Sequence, residues 1–307
     1  MSTMNRFARK MKKATGRVLD FLSVYGSGNQ AYWTKVNVTH HKSFATPQES
    51  LDYLSWRNDQ YIDYIDLMPV TGQDGCTVLD YGCGPGNDLV GFGHYSKPRR
   101  LIGADISTQS LAEAKARLDV HGIAAEFISI SEVTNRVPLD DASVDYVHSS
   151  GVVHHAQDPA AVLREFRRVL KPTGRCRIMI YHYDSLWVHL YVPYVRQILE
   201  MRDVGMNIHD AFRKSTDGEH CPISRVYRPA EFIALAEGCG FRCRFIGAAI
   251  SVHEMEMLEH RYRAIQDPRL AAEHRRFLLE LTFDPRGLPK HGDYLAGIDG
   301  CYELTAV

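Results

Sequence analysis

The sequence predicts an α/β fold: a doubly wound, mostly parallel sheet of seven strands, with an N-terminal helical cap and lid insertions in its second half. Two observations carry this. From Cys76 to Tyr181, short apolar runs alternate with stretches of helical period, the pattern of successive βα units. The first of those runs, Val78 to Tyr81, contains Asp80 and opens at once into three alternate glycines, Gly82, Gly84 and Gly86.

Taken in order, residues 1–19 carry Arg6, Arg9, Lys10, Lys12, Lys13 and Arg17 without an acid, and Met4, Phe7, Met11, Val18 and Leu22 recur at near-helical spacing. Such a helix either caps the fold or lies on a membrane or partner. Residues 26–45 read as loop, punctuated by Gly26 and Gly28 and holding the pair His40-His41. Thr46-Pro47-Gln48-Glu49 is a helix start, with a hydroxyl cap, a proline in the first turn and an acid three residues after the cap. The helix is expected to run to about Met68, burying Leu51, Leu54, Tyr61, Ile62 and Ile65, with Trp56, Arg57, Tyr53 and Tyr64 elsewhere on it. Residues 1–70 thus form the cap and 71–307 the main domain.

In that domain strands are expected at 76–81, 100–105, 124–129, 143–149 and 174–181, and helices at 86–95, 108–121 and 158–170. Lys171-Pro172-Thr173-Gly174 stops the last helix and turns the chain. Residues 184–225, with an aromatic helix from Leu186 to about Met201 and a polar loop from Ser215 to Pro222, are too long for a plain connection and read as an insertion covering the site. A helix at 228–238, strand six at 240–249, a second insertion at 251–296 with charged helical character to 283, and strand seven at 297–304 complete the chain.

Composition excludes several classes. A net charge of −1 supplies no general field for nucleic acid or acidic membranes, and no apolar run approaches the roughly 20 residues of a membrane helix. The start lacks the apolar segment of a secretory signal, and seven cysteines at irregular spacings point to a reducing, cytoplasmic setting rather than a disulfide framework. Cys239 and Cys243 have no second pair to complete a zinc site, so no metal is expected.

The glycine turn departs from the dinucleotide pattern G-x-G-x-x-G, because Asn87 takes the last glycine position and Gly86 comes one residue early. Asp80 followed by Gly82, Gly84 and Gly86 resembles the first motif of the class I S-adenosylmethionine-dependent methyltransferases, with a Rossmann-like sheet. The resemblance implies S-adenosylmethionine as cofactor and S-adenosylhomocysteine as product. It also implies strand seven antiparallel between five and six. The turn, with Asp80, Tyr81, Gly82, Cys83, Gly84, Gly86 and Asn87, would approach the amino-acid tail and ribose. Asp105, ending strand two in I-G-A-D-I-S, would accept from both ribose hydroxyls, and Ile106 would pack on the adenine. Aligning on Phe127 puts Ser131 where the family offers an acid to the adenine amine, with Glu132 next to it.

The segment Ser143 to Pro159, S-V-D-Y-V-H-S-S-G-V-V-H-H-A-Q-D-P, resembles the small-molecule branch of that family, the type 11 or ubiquinone-biosynthesis-like methyltransferases. It implies Ser150 and Gly151 near the methionine part, with His154 and His155 where a small-molecule acceptor would sit. His155 is the lead candidate for orienting or deprotonating that acceptor; alternatively both histidines bridge loop backbone groups. Tyr181, Tyr183 and Tyr227 would clamp the acceptor or pack beneath the insertion, and Trp56, Arg57 and Tyr61 would face it from the helix before the first motif. Arg57, Arg225 and Arg228 are the groups that could take an anionic acceptor. The expected activity is methyl transfer to an O or N atom of a small molecule. The alternatives are methylation of protein or RNA, or cofactor binding without methylation.

Overall fold

A computed structural model describes residues 28–307, so the basic stretch at 1–19 lies outside the described residues. In chain order the strands are β1 (Tyr61–Ile62), β2 (Thr77–Tyr81), β3 (Arg100–Asp105), β4 (Glu126–Ser129), β5 (Val144–Ser150), β6 (Leu170–Tyr181), β7 (Phe241–Ser251), β8 (Thr282–Phe283), β9 (Pro289–His291), β10 (Tyr294–Leu295) and β11 (Asp299–Ala306). Eight of them form one sheet in the order β1-β7-β11-β6-β5-β2-β3-β4. β2 pairs in parallel with β3 and β5, β3 with β4, and β5 with β6, while β11 runs antiparallel between β6 and β7.

β2 is buried at every position because helices cover both faces of the parallel strands. Strand alternation sends Leu79 to one face, against Val147, Phe166 and Ile178, and Val78 to the other, against Leu89, Phe92 and Tyr146. The flanking helices start where the sequence supplies caps. Ser107 accepts from Ser110 N at 3.1 Å to begin Thr108–His121, and Asp158 accepts from Ala161 N at 3.0 Å, with Pro159 in the first turn, to begin Pro159–Val169.

The expected seven strands are present as β2–β7 and β11, but four expectations fail locally. The single helix at 47–68 stops at Asp59; Asp63, at φ 69°, breaks the chain, and Tyr61–Ile62 pairs as an eighth strand with the end of β7 before a short helix at Tyr64–Leu67. Tyr61 and Ile62 are therefore strand residues, and Ile65 is exposed. The presumed loop at 26–45 contains a helix, Asn29–Lys35. The helix before Lys171 does stop, at Val169, but the turn expected at 171–174 lies within the strand: β6 begins at Leu170, opposite Val144, and bulges before Arg175 meets Tyr146. Within 251–296 the helical character ends at Glu280, and β8–β10 form a small separate sheet.

The first insertion is anchored by one buried acid. Its helix, Trp187–Leu199, is wound with wide i→i+5 turns around Pro193. Glu254 accepts from Ser251 N at 2.9 Å and Ser251 Oγ at 2.8 Å, and also from Trp187 N at 3.1 Å and Ile298 N at 3.2 Å. It thus ties the end of β7 to that helix and to the approach to β11. Burial pushes the Glu254 carboxyl up from 4.5 to about 7 against those hydrogen bonds. Truncation in Glu254→Ala leaves buried donors without an acceptor and is expected to cost about 2–4 kcal/mol of unfolding free energy in urea titrations. Because the folded chain holds this proton more tightly than the unfolded one, the wild type should lose stability relative to Glu254→Gln as pH rises from about 5 to about 8.

Candidate active site

The carboxyl ends of β2, β3, β5, β6 and β7 and the amino end of antiparallel β11 lie on one edge of the sheet. They open into a cavity of about 640 Å³. This is the crevice where ligands of doubly wound sheets bind.

On one side is the glycine turn. Gly82, Gly84 and Gly86 have φ of 78°, 50° and 80°, which requires glycine. A Cβ on Gly82 would lie 2.2 Å from Val152 Cγ2, whereas one on Gly84 would meet nothing within 4 Å. The turn is therefore packed at its entrance and open to the cavity at its centre. Gly82 N and Cys83 N donate to Ala104 O, and Gly84 N donates to Asp105 Oδ2 at 2.8 Å. Asp105 Oδ1 accepts from Ser107 N at 2.8 Å. Burial raises the Asp105 carboxyl, and these backbone donors oppose it. Asp80 is buried beside the turn and has no hydrogen-bond partner for its carboxylate among the described residues; burial pushes it up to about 7.

The helix Asn29–Lys35 closes this side. Gln30 Nε2 donates to Ile106 O at 3.1 Å, Gln30 N to Glu132 Oε2 at 3.2 Å, and Asn29 Nδ2 to His155 O at 2.6 Å. Trp33 packs edge-on to the His155 ring at 4.8 Å.

The helix Pro47–Asp59 brings in Arg57, which reaches Asp88 Oδ1 at 2.8 Å and Oδ2 at 3.2 Å; His148 Nε2 lies 3.2 Å from Asp88 Oδ2. Burial works against an ionised Asp88, but Arg57 and His148 outweigh it and hold the carboxyl below its ordinary range. Arg57 also reaches Tyr64 OH at 3.2 Å, which in turn lies 2.6 Å from Ser150 Oγ.

His155 ends the tight turn Val153–His155 that follows β5. Its Nδ1 lies 2.5 Å from Ile223 O. A carbonyl only accepts, so Nδ1 carries the proton and Nε2 is left as the acceptor. Nε2 is 3.5 Å from Asp217 Oδ2. Asp217 accepts from Tyr181 OH at 3.0 Å on each carboxylate oxygen, and its backbone oxygen accepts from Tyr32 OH. Cys221 approaches His155 Nδ1 at 3.8 Å, so His155, Asp217 and Cys221 form a cluster with metal-ligand chemistry. Two of the three donors are already committed: the Cys221 thiol, pushed up to about 12 by burial, donates to the same Ile223 O that holds Nδ1.

The cavity brings together Asp80, Tyr81, Gly82, Cys83, Gly84 and Asn87 from the first motif, and Asp105, Ile106 and Glu132 from the next two. Ser150, Gly151 and His155 follow from β5, and Trp56, Arg57, Tyr61 and Tyr181 complete the set. Seven of the candidate residues singled out in the sequence do not line it, Arg225 and Arg228 among them. Gly86 packs against Ala114, and Ser131 is exposed. His154 is fully buried, its ring 3.9 Å from that of Tyr181 at a tilt of 34°, with neither ring nitrogen bonded among the described residues, and burial drives its pKa well below 6.5, which makes it a neutral packing ring. Tyr183 donates to Glu273 at 2.9 Å beneath the Arg228 guanidinium, and Tyr227 packs on Phe232. Asp88, Trp187, Asp217, Ser251, His253 and Asp299 line the cavity without having been foreseen. Trp187, Asp217 and His253 carried only the signal of lying in the two insertions, at 184–225 and 251–296.

Residues 79–178 match the family profile described as a methyltransferase domain. An uncharacterized 37.1 kDa protein in a transposon of Streptomyces fradiae is 30% identical over 186 residues, covering 60% of this chain and 47% of that one. The ubiquinone/menaquinone biosynthesis C-methyltransferase UbiE of Desulfotalea psychrophila is 36% identical over 100 residues, 32% of this chain and 39% of that one. The chain thus spans less than half the length of these curated relatives. The crystal structure of YcgJ from Bacillus subtilis aligns with a TM-score of 0.49 at 17% identity, covering 85% of this chain and 99% of that one. The matched span, residues 79–178, runs from β2 to β6, so the part of the chain that carries the glycine turn, Asp105 and His155 is similar to a methyltransferase domain.

Proposed function

We propose that the protein transfers a methyl group from S-adenosylmethionine to an oxygen or nitrogen atom of a small molecule. The cavity fits that cofactor on two observations. Gly84 leaves open space where a Cβ would project, and Asp80 presents a buried carboxylate with no hydrogen-bond partner among the described residues to a ligand that carries an ammonium group. When bound, the cofactor supplies a methyl already activated on a sulfonium, so the protein's tasks are orientation and proton removal.

The observation that carries the acceptor half is His155. With Nδ1 held by Ile223 O, its Nε2 is free to take a proton from an acceptor hydroxyl or ammonium. Asp217, 3.5 Å away, stabilises the imidazolium so formed, and Tyr181 fixes the Asp217 carboxylate in place. The proton moves from the acceptor heteroatom to Nε2, leaving a lone pair on that atom to attack the methyl. Trp33, from the helix Asn29–Lys35, and Trp187, from the first insertion, wall this end, and Tyr32 donates to the backbone oxygen of Asp217.

Two results test the reading. Asp105→Ala removes an acceptor for the ribose and loosens the glycine turn together, and should weaken S-adenosylhomocysteine binding at least about tenfold by titration calorimetry. Unchanged affinity overturns the ribose assignment. On a panel of small hydroxylated aromatics and amines, read as S-adenosylhomocysteine formed, His155→Ala should lower kcat by about 10²- to 10⁴-fold, and Asp217→Asn by less, with cofactor affinity preserved. No turnover of any panel member by protein that binds the cofactor would count against methyl transfer to small molecules.

A further inference from the structure

The acceptor end of the cavity is acidic, and its acids are not balanced. Asp299 opens β11 with its backbone paired to Tyr181 on one side and Ala249 on the other. Its side chain is only 2% exposed, lines the cavity, and receives no hydrogen bond or ion pair among the described residues. Burial, reinforced by the carboxylates of Glu254 and Asp217, pushes it well above the ordinary range; Arg57 opposes this, but that guanidinium is already held by both oxygens of Asp88.

The cations that the sequence offered for an anionic acceptor are likewise committed. Arg225 donates to Ala156 O and Gln157 O, and Arg228 pairs with Glu273 over the Tyr183 ring. Asp80 cannot share its ligand group with Asp299. The two lie on β2 and β11, three strand spacings apart across β5 and β6, or roughly 14 Å. A buried carboxylate without a partner is costly, so each calls for a cation of its own.

We infer that the acceptor carries a protonated amine that seats on Asp299, in the part of the cavity walled by Tyr61, Tyr181 and Trp187. This rests on the reading of the cavity as a cofactor-plus-acceptor site and adds the charge of the acceptor to it. The aromatic walls suit a cation as well as an apolar body, and Asp217 extends the acidic surface toward His155.

Calorimetry on protein saturated with S-adenosylhomocysteine, using benzylamine, benzyl alcohol and benzoate as probes of one skeleton and three charges, tests this. Benzylamine should bind at least about tenfold more tightly than either of the others. Asp299→Asn should bring benzylamine to the level of benzyl alcohol while leaving S-adenosylhomocysteine affinity unchanged. Equal binding of the three probes, tighter binding of benzoate, no binding of any, or a benzylamine affinity indifferent to Asp299→Asn overturns the inference. The wild-type ranking decides even if that variant folds poorly. If S-adenosylhomocysteine does not bind wild type, the cofactor reading falls and this inference with it; if it binds and benzylamine has no advantage, this inference alone falls.

Discussion

The two carboxylate oxygens of Asp105 hold together the parts of the cavity that come from different strands. One takes Gly84 N and the other Ser107 N, so the loop after β2 and the loop after β3 are fixed to each other at adjacent strand ends. Charge-assisted bonds to backbone N-H groups are short and directional, which is what a turn with three left-handed glycines needs to keep a single shape. With that turn fixed, the helix Asn87–Tyr95 starts where Asp88 can meet Arg57, and Arg57 brings the helix Pro47–Asp59 over the cavity. Arg117 adds a second tie, reaching Asn87 Oδ1 at 2.5 Å and Ser50 Oγ at 2.7 Å.

The parts legible in the sequence are those set by short-range rules. Alternation of apolar runs with capped helices located β2 to β7 within a few residues, since burial on both faces and a Ser107 or Asp158 cap are local properties. The glycine turn and Asp105 were legible for the same reason. What escaped was decided by partners far along the chain. The helix from Thr46 broke because Tyr61–Ile62 found the end of β7, some 190 residues later, a pairing worth more than continuing past Gln60. His154 and His155 look equivalent in sequence; only the neighbours supplied by Tyr181, Ile223 and Asp217 make one a buried packing ring and the other a cavity residue.

The part of the cavity proposed for the acceptor is assembled almost wholly from such distant pieces. Trp187 and Asp217 come from the insertion after β6, His253 from the one after β7, and Asp299 from the start of β11. None stands in a motif, because a sheet edge collects residues by topology and not by spacing. Loops on a rigid sheet can change without disturbing the core, which is why one cofactor scaffold serves many acceptors.

The buried acids in and beside this cavity divide by whether the fold answers them. Asp88 has Arg57 and His148, Glu254 has three backbone donors and a hydroxyl, and Asp105 has two backbone donors. Asp80 and Asp299 have none among the described residues, and they line the cavity from strands three places apart in the sheet. Packing alone would favour an apolar residue at either position, since an unpaired buried carboxylate opposes folding. Each acid is answered either by the proton that its raised pKa lets it hold or by a cation arriving with a ligand. On the proposed reading, a ligand cation at each acid would displace that proton and add its binding energy to the stability of the bound state, so that filling the cavity would tighten the fold as well as position the reactants.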